Sequence, residues 1–237
     1  MPVDRPPLAP LLDLMEPDSR SDMLAAAETL TLAKGSVLFR TGDVGDGLYE
    51  LVEGKVKLSR LPGDTPDHPA NRHESVLRLL SHGQIFGELA AFDGGPRNAT
   101  AVAVTDVVVR HYRPEVLDTI IRSHPDVAAA LLTQVAYRLR FALERTNDLQ
   151  IHDSAVRLAK VILLLSRRFG ETDGDSTEIV IRHDLTQSEL GGLTGLSRET
   201  VSKVLGELAA RGLTRSTSGT VVILDEPALK QLVGSHS

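Results

Sequence analysis

The sequence predicts an α+β fold in three parts: a jelly-roll-like β-roll, one long central helix, and a C-terminal winged helix-turn-helix. Three observations carry this. From Leu30 to Tyr112, short apolar or alternating runs recur between glycines (SVLF, GLYELVEG, KVKLSRL, ESVLRLL, TAVAVTDVVVRHY), the pattern of many short strands in a sandwich or barrel. After Pro125 the run DVAAALLTQVAYRLRFALERTNDLQ holds few helix breakers. Leu185 to Thr214 then reads as two short helices around a tight turn. The implied boundaries are residues 1–124 for the roll, 125–151 for the central helix and 152–237 for the C-terminal domain.

Composition narrows the function classes. At 237 residues and 41% hydrophobic, the chain can bury two modest cores. No run approaches the ~20 apolar residues that span a bilayer, and the start MPVDRPPLAP lacks the apolar region of a signal peptide, so a cytoplasmic protein with no membrane partner is expected. Cysteine is absent, which excludes disulfides, thiolate catalysis and cysteine-held iron-sulfur clusters. Among the histidines, His68, His73 and His82 fall in loop-like or strand-edge sequence, with no HExxH, GxSxG or Walker pattern beside them. They read as surface or structural, with no metal site, and an enzyme is not expected. The net charge is −6; residues 1–152 carry 16 Lys+Arg against 21 Asp+Glu, and residues 153–237 carry 10 against 11. Nucleic-acid binding would therefore rest on a local patch, on dimerisation to double its contacts, and on low salt.

Within the strand-rich part, Pro62 to Arg72 (PGDTPDHPANR) reads as an exposed loop between paired strands. Gly83 to Ala103 holds a second constellation. Gly87 permits a close backbone approach, Glu88 to Phe92 can form a short helix whose first amides favour an anion, and Arg97 returns a guanidinium to the same spot after a Gly-Gly-Pro turn. Glu88 suits a ligand that also presents hydroxyls, as a phosphorylated sugar does. The same residues also fit an internal Glu88–Arg97 ion pair holding a turn.

In the long helix, Leu132, Val135, Leu139, Ala142, Thr146 and Leu149 recur at steps of three and four, the seam of a parallel homodimer; alternatively this stripe packs on the chain's own strands. Leu131, Tyr137 and Phe141 lie on flanking faces, so the helix can do both. A further helix follows over Ala155 to Phe169, then a polar loop GETDGDS and a short strand EIVI. Thr186 and Glu189 form a capping-box pattern, Gly195 supplies the turn, and Ser197 offers the next N-cap. Val201, Val204, Leu205 and Leu208 form the inner stripe of the second helix and leave Arg198, Glu199, Ser202 and Lys203 outward. An outward row of this kind, led by Arg198 and Glu199, can read base edges in a major groove; it also fits an ordinary helical hairpin with a solvated face. TRSTSGTVVIL closes the chain as a hairpin with Ser218 and Gly219 at its turn.

The segments TGDVGDGLYELVEGKVKL and FGELAAFDGGPRNATAVA, the long helix, and LTQSELGGLTGLSRETVSKVL occur in the order found in CRP/FNR-type transcription regulators, which the chain resembles over nearly its whole length. The resemblance implies a homodimer with a cyclic-nucleotide-binding β-roll, cAMP as possible effector, and double-stranded DNA carrying a palindromic TGTGA-like operator as partner, with RNA polymerase beyond it. It also implies roles. Gly87, Glu88, Leu89, Arg97, Asn98 and Ala99 would form the phosphate cassette, Glu88 bonding the ribose hydroxyl and Arg97 the cyclic phosphate. Arg198, Glu199 and Lys203 would read bases, and Thr186, Ser188, Ser197 and Thr200 would hold backbone phosphates. The chain departs from the family pattern in four places. Asn98 stands where Ser or Thr is usual, Lys203 where Arg is common, and Ser218 and Gly219 where a Gly-Lys pair is frequent. Ala142 and Leu143 replace the polar pair that faces adenine, with Thr146 and Asn147 one turn later. An effector-independent regulator, controlled by its own abundance, is the alternative.

Overall fold

The computed structural model describes residues 9–61, 63–64, 74–148, 151–174 and 176–234. Most of the proline-rich insert, His68, His73 and the seam position Leu149 lie outside them. The described residues fall into two compact units, one holding residues 9–140 apart from 74–76, the other holding 141–234 together with 74–76.

The first unit opens with a 3-10 turn (Leu11–Leu14) and α1 (Pro17–Ala26), followed by β1 (Glu28–Leu32), β2 (Val37–Phe39), β3 (Leu48–Glu53), β4 (Val56–Arg60), β5 (Ser75–Leu80) and β6 (Ile85–Phe86). Next come α2 (Glu88–Asp93), β7 (Thr100–Ala103), β8 (Val107–Tyr112), α3 (Pro114–Ser123) and the start of α4 (Pro125–Asp148). The strands form two four-stranded sheets, ordered β1-β8-β3-β6 and β2-β7-β4-β5. Strand alternation explains both cores. In β3, Tyr49 and Leu51 point into the roll, where they meet Phe39, Val56, Phe86, Ala101 and Val109. Leu48 points the other way and joins Ile85 and Tyr112 in packing against Leu11, Met23, Leu117, Val127 and Leu131. Val127, Ala130, Leu131 and Gln134 are the buried positions of α4 in this unit, spaced by three and four, which fixes the helix to the roll along one stripe.

The second unit contains the end of α4, then α5 (Ser154–Phe169), β9 (Gly170–Thr172), β10 (Ile179–Arg182), α6 (Gln187–Thr194), α7 (Arg198–Ala210), β11 (Thr214–Thr217), β12 (Thr220–Ile223) and α8 (Glu226–Gly234). Asp153 caps α5 by accepting from the amides of Ala155 at 2.7 Å and Val156 at 3.2 Å. One sheet, ordered β11-β12-β10-β9, backs the helices. Its edge corrects the sequence reading, since Gly170–Thr172, expected as part of a polar loop, pairs with β10. All three residues are exposed, so this edge strand has no apolar alternation to announce it.

Candidate functional site

The segments expected to bind an anion come together from two loops and one short helix. Gly87 adopts φ 77°, a left-handed conformation, and ends β6 while capping α2. A side chain there would run into the Arg97 guanidinium. Arg97 is only 2% exposed. Its backbone zips to the loop before β3: its amide donates to the Asp43 carbonyl and its carbonyl accepts from the Gly42 amide, each at 2.8 Å. Its Nη1 donates to the Gly87 carbonyl at 2.6 Å, and its Nη2 donates to the Gly47 carbonyl at 2.9 Å and to the Asp46 carboxylate. The guanidinium carbon lies 4.3 Å from the centre of the Phe39 ring, a cation–π contact. Its Nε is buried with no hydrogen-bond partner among the described residues.

Glu88 is equally buried, at 9% exposure, and is paired with Arg138 of α4, whose Nη2 also donates to the Ile85 carbonyl. The Glu88–Arg97 ion pair offered by the sequence is therefore not formed, because each residue takes a partner from elsewhere in the fold. Burial pushes Glu88 up, but Arg138, aided by Arg78, outweighs it and holds the carboxyl below its ordinary value. Asp46 behaves alike: partial burial raises it, while the Tyr49 hydroxyl at 2.9 Å, the Arg97 guanidinium and His111 together leave it lowered. Burial first, then Asp46, pushes the Tyr49 hydroxyl up.

The other cassette positions are less enclosed. Leu89 is 45% exposed, Ala99 is buried, and Asn98 is exposed with its carbonyl accepting from Arg60 Nε at 3.0 Å. Ala142 and Leu143 are exposed and are counted with the second unit. Thr146 turns its hydroxyl onto the Ala142 carbonyl at 3.1 Å. On α4, Leu132, Leu139 and Leu143 stand 69%, 61% and 61% exposed, while Val135 is half-buried.

Sequence reasoning missed Asp46 and Arg138. Both left a trace. Asp46 sits between two glycines, and Arg138 continues the stripe of Val127, Leu131 and Gln134, where a charged residue demands a partner.

The second unit presents the other surface. Thr186 accepts from the Glu189 amide at 3.2 Å, and Glu189 Oε2 accepts from the Thr186 amide at 2.7 Å, which completes the capping box of α6. The Thr186 hydroxyl also donates to Glu189 Oε2 at 2.8 Å, so donation to a phosphate requires release of Glu189. Gly195, at φ 67°, makes the turn, and Ser197 caps α7 by accepting from the Thr200 amide at 3.2 Å. Val201, Val204, Leu205 and Leu208 are buried, whereas Arg198, Glu199, Ser202 and Lys203 are exposed, as the helical period dictates. Lys203 lies 3.8 Å from Glu207 one turn on. Between β11 and β12 the Ser218–Gly219 turn is tied back to the segment between β10 and α6: the Gly219 carbonyl accepts from the amides of His183 at 3.0 Å and Asp184 at 2.9 Å. One cleft of about 420 Å³ gathers Thr186, Ser188, Arg198, Ser218 and Gly219.

A β-roll followed by a helix-turn-helix with its hairpin wing is the class of architecture that the fold defines. Comparison with known proteins specifies which kind. The cyclic nucleotide-binding domain family matches residues 29–124 and the Crp-like helix-turn-helix domain family matches residues 156–232. The chain is 34% identical over 215 residues to the CRP-like cAMP-activated global transcriptional regulator of Mycobacterium tuberculosis, covering 91% of this chain and 92% of that protein. It is 34% identical over 225 residues to the cyclic AMP receptor protein of Thermus thermophilus, covering 94% and 96%. The crystal structure of a CRP/FNR-family transcriptional regulator from Thermus thermophilus superposes with a TM-score of 0.67 at 31% identity, covering 89% of this chain and all of that one. The chain belongs to the CRP/FNR family of transcription regulators. It is a DNA-binding regulator with a cyclic nucleotide-binding domain, and not an enzyme. Among the described residues no helix is long and apolar enough to cross a membrane.

Proposed function

We propose that the protein acts in the cytoplasm as a homodimer whose affinity for a palindromic, TGTGA-like operator is raised by cAMP or a related cyclic nucleotide. One observation carries the ligand half: the buried Arg97 guanidinium, whose Nη1 bonds the Gly87 carbonyl at the glycine-capped start of α2, has an Nε without a partner among the described residues. A cyclic phosphate supplies the missing acceptor. Arg97 bonds it with the amides around Gly87 and Leu89 and the Asn98 side chain, Ala99 walls the cradle, and Glu88 accepts from a ribose hydroxyl as Arg138 yields.

The exposed stripe of α4 supports the dimer. Leu132, Val135, Leu139, Ala142, Thr146 and Leu149 pair with a second copy, and the partner covers leucines that water otherwise bathes. Dimerisation sets two copies of α7 about 34 Å apart, one duplex turn. Arg198 then reads guanine, Glu199 cytosine, and Lys203 a further base, while Thr186, Ser188, Ser197 and Thr200 hold phosphates. The DNA-bound dimer acts on RNA polymerase. Calorimetry with cAMP, run beside operator binding, tests this: heat at one ligand per protomer with tighter operator binding is expected, and neither appearing would remove the ligand half.

A second reading is favoured by a different observation. Arg97 and Glu88 already have internal partners in Asp46 and Arg138, so the cradle is electrostatically satisfied without a guest. On that reading the protein binds its operator without an effector. Arg97→Ala separates the two, abolishing activation in the first and costing only stability in the second.

A further inference from the structure

Beneath the cradle lies an imidazole with no part in the ligand contacts above. His111, on β8, is 8% exposed and stacks on Tyr49 with ring centroids 4.5 Å apart and planes 22° from parallel. Its Nε2 lies 3.0 Å from the Asp46 carbonyl oxygen and 3.9 Å from Asp46 Oδ2. A carbonyl only accepts, so the hydrogen at that contact belongs to Nε2. The approach depends on Gly47, at φ 140°, where a Cβ would sit 2.8 Å from the same Nε2. Asp46 is thus held at three atoms: its carbonyl by His111, Oδ2 by the Tyr49 hydroxyl, and Oδ1 by Arg97.

We infer that His111 is a positioning residue for the anion site, fixing Asp46 and through it the Arg97 guanidinium. This rests on the reading of Arg97 as the phosphate ligand. With the Nε2 donor in place the Asp46 carbonyl and both of its carboxylate oxygens are tied; without it the carboxylate that holds Arg97 Nη2 shifts and takes the guanidinium with it.

Two variants and two readouts test the inference on the full chain. His111→Phe keeps a stacked ring without a donor, and His111→Gln restores a donor. In the ligand-free protein, His111→Phe should move the Arg97 Nε–H resonance in ¹⁵N–¹H spectra, and His111→Gln should return it toward its original position. By calorimetry His111→Phe should raise the Kd for cAMP roughly three- to tenfold, and His111→Gln should recover most of that loss. An Arg97 resonance unmoved in His111→Phe, or a cAMP affinity as weak in His111→Gln as in His111→Phe, would overturn the inference. If cAMP gives no heat with the wild type while the resonance moves, the phosphate reading fails and the positioning of Arg97 by His111 stands.

Discussion

At the scale of single residues, Arg97 and Glu88 are buried charges, each compensated from a distant part of the chain. Glu88 opposite Arg138 shows the consequence for stability. Replacing Glu88 by Gln leaves Arg138 as an uncompensated, largely buried charge and should cost about 3 kcal/mol at pH 7 in urea unfolding. The pH dependence follows from the direction of the shift. Glu88 and Asp46 are lowered in the folded state, so their stabilisation is fully present above the unfolded values of about 4 and is lost as pH falls through the folded ones. The stability gap between wild type and Glu88→Gln should therefore be flat from pH 7 to about pH 5 and narrow below about pH 4. Thr186→Ala, which opens the capping box, should cost about 1 kcal/mol at any pH in that range. Gly87, Glu88 and Arg97 were legible in the sequence because a short segment holds all three. Asp46 was not, because it lies 51 positions from Arg97 and only the pairing of two loops brings them together. Nothing local in either segment names the other as its partner.

At the scale of elements, α4 carries one face buried on the roll and one exposed, which the proposal assigns to the dimer. Leu131, at 4% exposure, belongs to the stripe on the roll, while Leu139, at 61%, belongs to the free one. Leu139→Glu should shift sedimentation from dimer to monomer with little change in the unfolding of the roll. Leu131→Ala should cost about 2–5 kcal/mol with the oligomeric state kept. Of the flanking residues singled out in the sequence, Leu131 belongs to the buried stripe with Val127, Ala130 and Gln134, while Tyr137 and Phe141 are half-buried; on the proposed seam Val135 is half-buried, and Leu143 stands exposed beside Leu139. α6, α7 and the wing were legible almost residue by residue, since caps, turn glycine and apolar stripe all agree. β9 was not, because an exposed edge strand is defined by the neighbour it bonds and carries no apolar signal of its own.

At the scale of the whole molecule, an acidic chain must bind a polyanion. With a net charge of −6, attraction cannot come from the overall field; on the proposed reading it rests on the outward face of α7 and the residues around it, doubled in a dimer. Operator affinity should fall by about 10³ to 10⁵ between 50 and 200 mM salt if six to ten phosphates are contacted. Arg198→Ala should cost about 1–3 kcal/mol on the operator and relax the preference at one base pair, whereas a lost phosphate contact would weaken all sequences alike. The link between ligand and DNA is the central claim, and α4 is the element that belongs in part to each unit. The most direct test is operator affinity by fluorescence anisotropy, measured with and without saturating cAMP at fixed salt. A ligand-gated dimer gives a rise of about 5- to 150-fold for the palindrome, which is lost in Arg97→Ala. Equal affinity with and without cAMP, in wild type and variant alike, would contradict it.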